Sequence, residues 1–96
     1  MKVVIREAAY DDLHRIYAWI AKDRPRSADA VVDRIIESAG RLGRFPYMGH
    51  TGRVRGTLEW VLPGLPYIIV YQVREDEGLV SIDAIFHGAQ DRDGER

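Results

Sequence analysis

The 96-residue sequence predicts an α+β fold: an N-terminal strand, an antiparallel two-helix hairpin, and a curled, mostly antiparallel sheet that ends in a C-terminal meander. Two observations predict it. Apolar residues recur at helical spacing through the first half of the chain, and a period of two replaces that spacing beyond Gly49. Proline and glycine then mark where each element must stop.

Lys2 to Arg6 is short and rich in β-branched residues, so it reads as a strand with a distant partner. Leu13, Ile16, Tyr17 and Ile20 lie on one helical face, and Asp11 and Asp12 fall where a helix start favours negative charge. The first helix is expected over residues 8–22. Arg24-Pro25 breaks it, and Ser27 is the expected N-cap of the second helix. Ala28, Val31, Val32, Ile35, Ile36, Ala39 and Leu42 form that helix's apolar stripe, with Gly40 or Gly43 as its C-terminal cap. A short link makes the two helices an antiparallel hairpin.

Strands are expected at 57–62, 67–74 and 79–87, joined by Pro63-Gly64 and by Glu75 to Gly78. Residues 67–73 are apolar on both faces, which suits a central strand. In the last strand Val80, Ile82, Ala84 and Phe86 alternate with Ser81, Asp83 and His87, predicting one buried and one wetter face. The chain thus reads as one domain over residues 1–88 with a polar tail at 89–96.

Composition narrows the function. Hydrophobic residues make up 46% and charged residues 30%, an ordinary globular balance. The chain has no cysteine, which excludes disulfides, thiolate nucleophiles and cysteine-bound zinc and fits a reducing cytoplasm. The first apolar run is too short for a signal-peptide core, and no stretch nears the ~20 apolar residues of a membrane span, so a soluble cytoplasmic protein is expected. The net charge of −1 hides an uneven distribution. Residues 38–58 carry Arg41, Arg44, Arg53, Arg55 and His50 with no acid, whereas residues 59–96 hold eight acids against three arginines. The middle of the chain can therefore present a basic surface.

No phosphate-binding glycine loop, dinucleotide fingerprint or nucleophile elbow is present. His14, His50 and His87 fall on three different elements, which argues against a zinc trio, and neither a metal nor a cofactor is expected. Tyr67 and Tyr71 share a face of the central strand and read as core. Arg55 and Glu59, four residues apart in an expected strand, could pair across one face.

One set of segments carries more than its parts. Arg44-Phe45-Pro46, then Gly52 to Glu59, then Pro63-Gly64-Leu65-Pro66-Tyr67 running on to Tyr71, and finally Ile82 to His87-Gly88-Ala89-Gln90 occur in this order. With them the chain resembles the RelE/ParE toxin superfamily over nearly its whole length. The resemblance implies the toxin of a bacterial type II toxin–antitoxin operon with a role in plasmid stabilisation. Such a toxin is neutralised by a small ParD-like antitoxin whose disordered segment folds on its surface, and it meets operator DNA only indirectly, through that antitoxin. RelE-like members enter the ribosome and cleave mRNA; ParE-like members share the fold and bind DNA gyrase instead.

The two branches put different demands on the residues. Cleavage of RNA needs a base, an acid and cations around one phosphate, for which Arg55, Glu59, Arg74 and His87 are the candidates, with His50, Arg53 and Arg92 as further ones. The chain has no lysine after Lys22, and its C-terminal third is acidic, unlike a surface built for ribosomal RNA. Residues 90–96 also lack the tyrosine that several nuclease members carry there. The ParE branch is therefore favoured, with Arg53, Arg55, His87 and Gln90 as target contacts. Leu13, Tyr17, Trp19 and Trp60 are the expected antitoxin contacts, the tryptophans reading either as packing residues or as apolar surface awaiting a partner.

Overall fold

In the computed structural model, which describes residues 1–89, five strands form one sheet and two helices cover one of its faces. The elements are β1 (Lys2–Ile5), α1 (Glu7–Ala21), α2 (Pro25–Arg44), β2 (His50–Thr51), β3 (Leu58–Val61), β4 (Tyr67–Arg74) and β5 (Leu79–His87). The strand order is β1-β5-β4-β3-β2, so β4 is central as its two apolar faces require. Among the described residues only β1 and β5 pair in parallel, and the other pairings are antiparallel. A short 3-10 turn, Glu75–Glu77, joins β4 to β5.

The core lies between helices and sheet. Ile35, Leu42, Leu62, Ile69, Tyr71, Val80, Ile82 and Ile85 are almost wholly buried there. Each buried aliphatic side chain stabilises the fold by about 1.5–3 kcal/mol. Asp11 and Asp12 do not mark the start of α1 as expected: the helix begins at Glu7, the acid of its first turn, and Asp12 has another use. It lies where β1 has ended opposite Ile82, and its Oδ2 accepts a hydrogen bond from the Ile85 amide at 2.8 Å, so a helix side chain serves a backbone donor beyond the reach of the edge strand.

Three further local expectations are corrected. The second helix begins at Pro25, whose missing N–H costs nothing in a first turn, so Ser27 lies inside the helix and is not its cap. Neither Gly40 nor Gly43 ends it. The helix runs through both to Arg44, and Gly43 serves close packing instead: a Cβ there would sit 2.6 Å from the Met1 carbonyl oxygen and 2.7 Å from Val3 Cγ2. Third, the alternation expected along β5 reverses. Val70 faces Ala84 while Tyr71 faces Ile82, so Asp83 is a bulge. Past it Ile85 is the buried residue, and Ala84 and Phe86 are only half-buried.

Candidate functional site

The register of the strands gives the sheet two ends of different chemistry. At one end β4 finishes at Arg74 beside the start of β5 at Leu79, and Leu58 of β3 faces Tyr71. The C-terminus of α2 arrives at this same end, because Gly43 packs on Met1, just ahead of β1, whose Lys2 pairs with Leu79. At the other end lie His87, which pairs with Tyr67, and the turn from Pro63 to Pro66.

The arginine-bearing segment is at the first end, and it is a loop. Arg53 and Arg55 precede β3, which starts at Leu58, so Arg55 and Glu59 do not share a strand face as expected. Gly52 N–H donates to Thr57 O at 2.8 Å, and Thr57 returns both its amide and its hydroxyl to Val54 O, at 3.1 and 2.6 Å. These bonds close the loop on itself and turn Arg53, Val54 and Arg55 outward, all three exposed. Glu59 lies beneath it, only 3% exposed. Its Oε2 accepts from the Arg53 amide at 3.1 Å, and its Oε1 is 3.8 Å from His50 Nε2. A buried carboxylate needs such partners, and a group so engaged is occupied as a loop anchor.

The candidates for RNA cleavage are dispersed. Arg74 pairs with Glu77 at 3.1 Å at one end of β4, while His87 stands at the other end, its ring edge-on to Tyr67 with centroids 5.5 Å apart. Seven strand positions separate Arg74 from Tyr67, about 23 Å, and the two point to opposite faces. His87 Nδ1 accepts from the Ala89 amide at 3.3 Å, which places the proton of the neutral ring on Nε2. Arg55 belongs with the Arg74 end and His87 does not, while Glu59, opposite Val70, lies midway between them. The expected target contacts divide in the same way, Arg53 and Arg55 from His87, and Gln90, like Arg92, lies outside the described residues.

The helical hairpin carries an apolar groove of about 400 Å³ on its outer side, lined by Tyr10, Leu13, His14, Tyr17, Val32 and Ile36. Tyr10, Tyr17 and Ile36 are 49%, 40% and 45% exposed, a large apolar commitment to solvent. The Asp29 carboxylate beside the Tyr17 hydroxyl raises its pKa above the ordinary value. Of the expected antitoxin contacts, Tyr17 lines this groove and Leu13 forms its floor. Trp19, 65% exposed, is nine residues beyond Tyr10 and therefore about 180° around the helix. It lines a second cleft with Asp23, Arg24, Ser27 and His87. Trp60 is half-buried and packs against the core.

Tyr10, Val32 and Ile36 were legible only in part. Their signal is the breadth of the α2 stripe, which spans about 140° from Val31 to Ile36 and so exceeds the ~100° that faces a core. Tyr10 and His14 complete the i, i+3, i+4, i+7 series with Leu13 and Tyr17.

A family model described as the ParE toxin of the type II toxin–antitoxin system parDE matches residues 3–92. The chain belongs to the ParE toxin family. A Sinorhizobium fredii protein provisionally named toxin Y4kP is 40% identical to this ParE-family chain over 78 residues, 81% of this chain and 78% of the relative. In fold the chain is similar to one from the chromosomal ParDE TA system of P. aeruginosa, with a TM-score of 0.81, 22% identity and 91% and 95% of the two chains covered. It is also similar to a chain of the intact E. coli RelBE toxin–antitoxin complex, with a TM-score of 0.65, 13% identity and 88% and 92% covered. The protein is a type II toxin of the RelE/ParE superfamily.

Proposed function

We propose that this ParE-family toxin acts in the cytoplasm as an inhibitor by binding, with DNA gyrase as its target and a ParD-like antitoxin as its neutralising partner. The dispersal of the candidate catalytic residues carries this reading. A single phosphate must be reached by base, acid and cation within hydrogen-bonding distance, whereas Arg74 and His87 occupy opposite ends and faces of β4 and β5, and Glu59 is engaged beneath a loop. The solved ParDE system of P. aeruginosa, at the higher TM-score of the two neighbours, supports the same branch.

The outer groove of the hairpin is the antitoxin's place, with Tyr17 over Leu13 at its centre and Trp19 and Trp60 outside it. A partner that covers Tyr10, Tyr17 and Ile36 binds only the folded toxin and so stabilises it by mass action. Target contact falls to Arg53 and Arg55 on their anchored loop, with His87 at a separate end.

A translation-coupled cleavage assay tests the reading against its rival. Purified toxin added to translating ribosomes should leave a defined mRNA intact. Cleavage that disappears in Arg55→Gln and His87→Gln would assign the chain to the ribosome-dependent RNases instead.

A further inference from the structure

The C-terminus of α2 ends in a surface that neither the groove nor the arginine loop accounts for. Arg41 and Arg44 close the helix, Phe45 caps it through its amide to Arg41 O at 2.9 Å, and Tyr47 follows in a tight turn closed by Met48 N–H to Phe45 O at 3.2 Å. The two rings are largely in solvent: Phe45 is 56% and Tyr47 59% exposed. Exposed aromatics of this kind usually collapse onto a neighbour, but here the backbone is held in place. The Tyr71 hydroxyl, rising from the core, binds Pro46 O and Gly49 N, and Tyr47 Oη donates to Glu75 Oε2 at 2.7 Å. The rings are thus presented on a fixed turn.

Charge accompanies them. Arg41, Arg44, Arg53 and Arg55 are exposed and sit in the acid-free stretch 38–58. Among the described residues no carboxylate pairs with Arg41, Arg44 or Arg55, in contrast to Arg15 with Asp12 and Arg74 with Glu77. The arginine loop begins two residues after His50, at the same end of the sheet, so its cations extend the surface beyond the aromatic turn.

We infer that Arg41, Arg44, Phe45 and Tyr47 form a single-stranded nucleic-acid binding surface on the toxin itself, continued by the loop of Arg53 and Arg55. Unstacked bases have exposed π-faces that aromatic rings receive without sequence preference, and arginines neutralise the adjoining phosphates. Phe45 and Tyr47 are at most about 7 Å apart at Cα, which neighbouring nucleotides of one strand can span. A duplex has no unstacked face to offer the rings, and an acidic protein segment would use the arginines but leave both rings idle. The inference does not depend on gyrase being the target.

Fluorescence anisotropy of labelled dT12 and U12 with the full-length purified toxin tests it, with a 12-base-pair duplex and polyglutamate as competitors. Both single strands should bind, the duplex and polyglutamate at least about 10-fold more weakly, and affinity should fall with salt at a slope near −3, about −0.7 for each of four phosphate contacts. Phe45→Ala or Tyr47→Ala should weaken binding by about 5- to 100-fold, the loss of one stacked base. Tyr47→Phe keeps the ring and should bind as the parent does. Arg41→Gln with Arg44→Gln should lower the salt slope by about half. These are exposed positions, so melting temperature should hold; if Phe45→Ala unfolds, Phe45→Ser reads the same contact. The preference between dT12 and U12 tells DNA from RNA as the source, and either supports the surface. No binding at low salt, equal competition by polyglutamate, or full affinity in folded Phe45→Ala and Phe45→Ser would overturn it.

Discussion

The Tyr71 hydroxyl accepts the Gly49 amide at 3.0 Å while donating to Pro46 O at 2.8 Å, so one core residue of the central strand fixes the turn that leads from α2 into the sheet. The contact is too close for any side chain at position 49. A Cβ there would lie 2.5 Å from Tyr71 Oη and 2.7 Å from Glu59 O, and glycine is the residue that fits. Tyr71→Phe leaves the ring in place and both backbone groups unpaired. It should cost about 1–3 kcal/mol, a fall of roughly 5–20 °C in melting temperature for a domain of this size, measured by thermal denaturation.

The same residue sets an alkaline limit. Burial raises the Tyr71 pKa above 10.0, only partly opposed by the Gly49 amide, while Tyr17 is raised by the Asp29 carboxylate beside it and Tyr47 by the hydrogen bond it gives to Glu75. A raised folded-state pKa means that the neutral phenol is favoured on folding. That stability is complete below pH 10 and is lost as pH rises through the folded-state value. Melting temperature should decline above pH 10, and Tyr71→Phe should show a shallower decline.

Two glycines of one helix should respond oppositely to the same change. At Gly40 a methyl group meets nothing within 4 Å, so Gly40→Ala should stabilise by about 0.5–1 kcal/mol through helix propensity. At Gly43 it collides with the Met1 carbonyl and Val3. Overpacking of that kind costs about 1–3 kcal/mol, which outweighs the propensity gain, so Gly43→Ala should be less stable than the parent. Chemical denaturation of both variants measures the signs.

How much of this could be read from the chain depends on the range of the cause. Residues 67–74 and 79–87 form strands where the apolar run of the first, the start of alternation in the second and the intervening turn predict them, since these signals are local. The role of Gly43 is set by Met1 and Val3, some forty positions away, and a helical glycine looks like a cap until its neighbour is known. The bulge at Asp83 likewise depends on pairing with Val70 and Tyr71. Arg53 and Arg55 were legible as a basic segment, but their position in a loop over Glu59 was not, because that carboxylate engages the backbone of residue 53. Trp19 and Tyr17 look alike as apolar residues near one stripe; the helix turns them into different clefts.

The groove of the hairpin should be separable from toxicity. Tyr17→Asp with Ile36→Asp places charge on exposed apolar positions and away from Arg53 and Arg55. The variant should remain folded and toxic but lose binding to the antitoxin by about 100-fold or more, the scale of a central interface residue. Titration calorimetry with the cognate antitoxin reads the loss, and growth arrest that co-expressed antitoxin no longer relieves reads its consequence.

His87→Gln distinguishes chemistry from contact. Glutamine keeps hydrogen-bonding capacity but cannot exchange protons near neutral pH. A toxin acting by binding should retain most of its toxicity, whereas a general acid or base would lose about 10² to 10⁴ in rate. Growth arrest at matched expression gives the answer.

The most direct test of inhibition by binding is DNA supercoiling by purified gyrase in the presence of the toxin. The parent protein should inhibit, the cognate antitoxin should relieve the inhibition, and Arg53→Glu with Arg55→Glu should abolish it while the melting temperature stays within a few degrees, since exposed substitutions usually change stability by less than about 0.5 kcal/mol. Uninhibited supercoiling at a toxin concentration that cleaves mRNA on translating ribosomes would contradict the account.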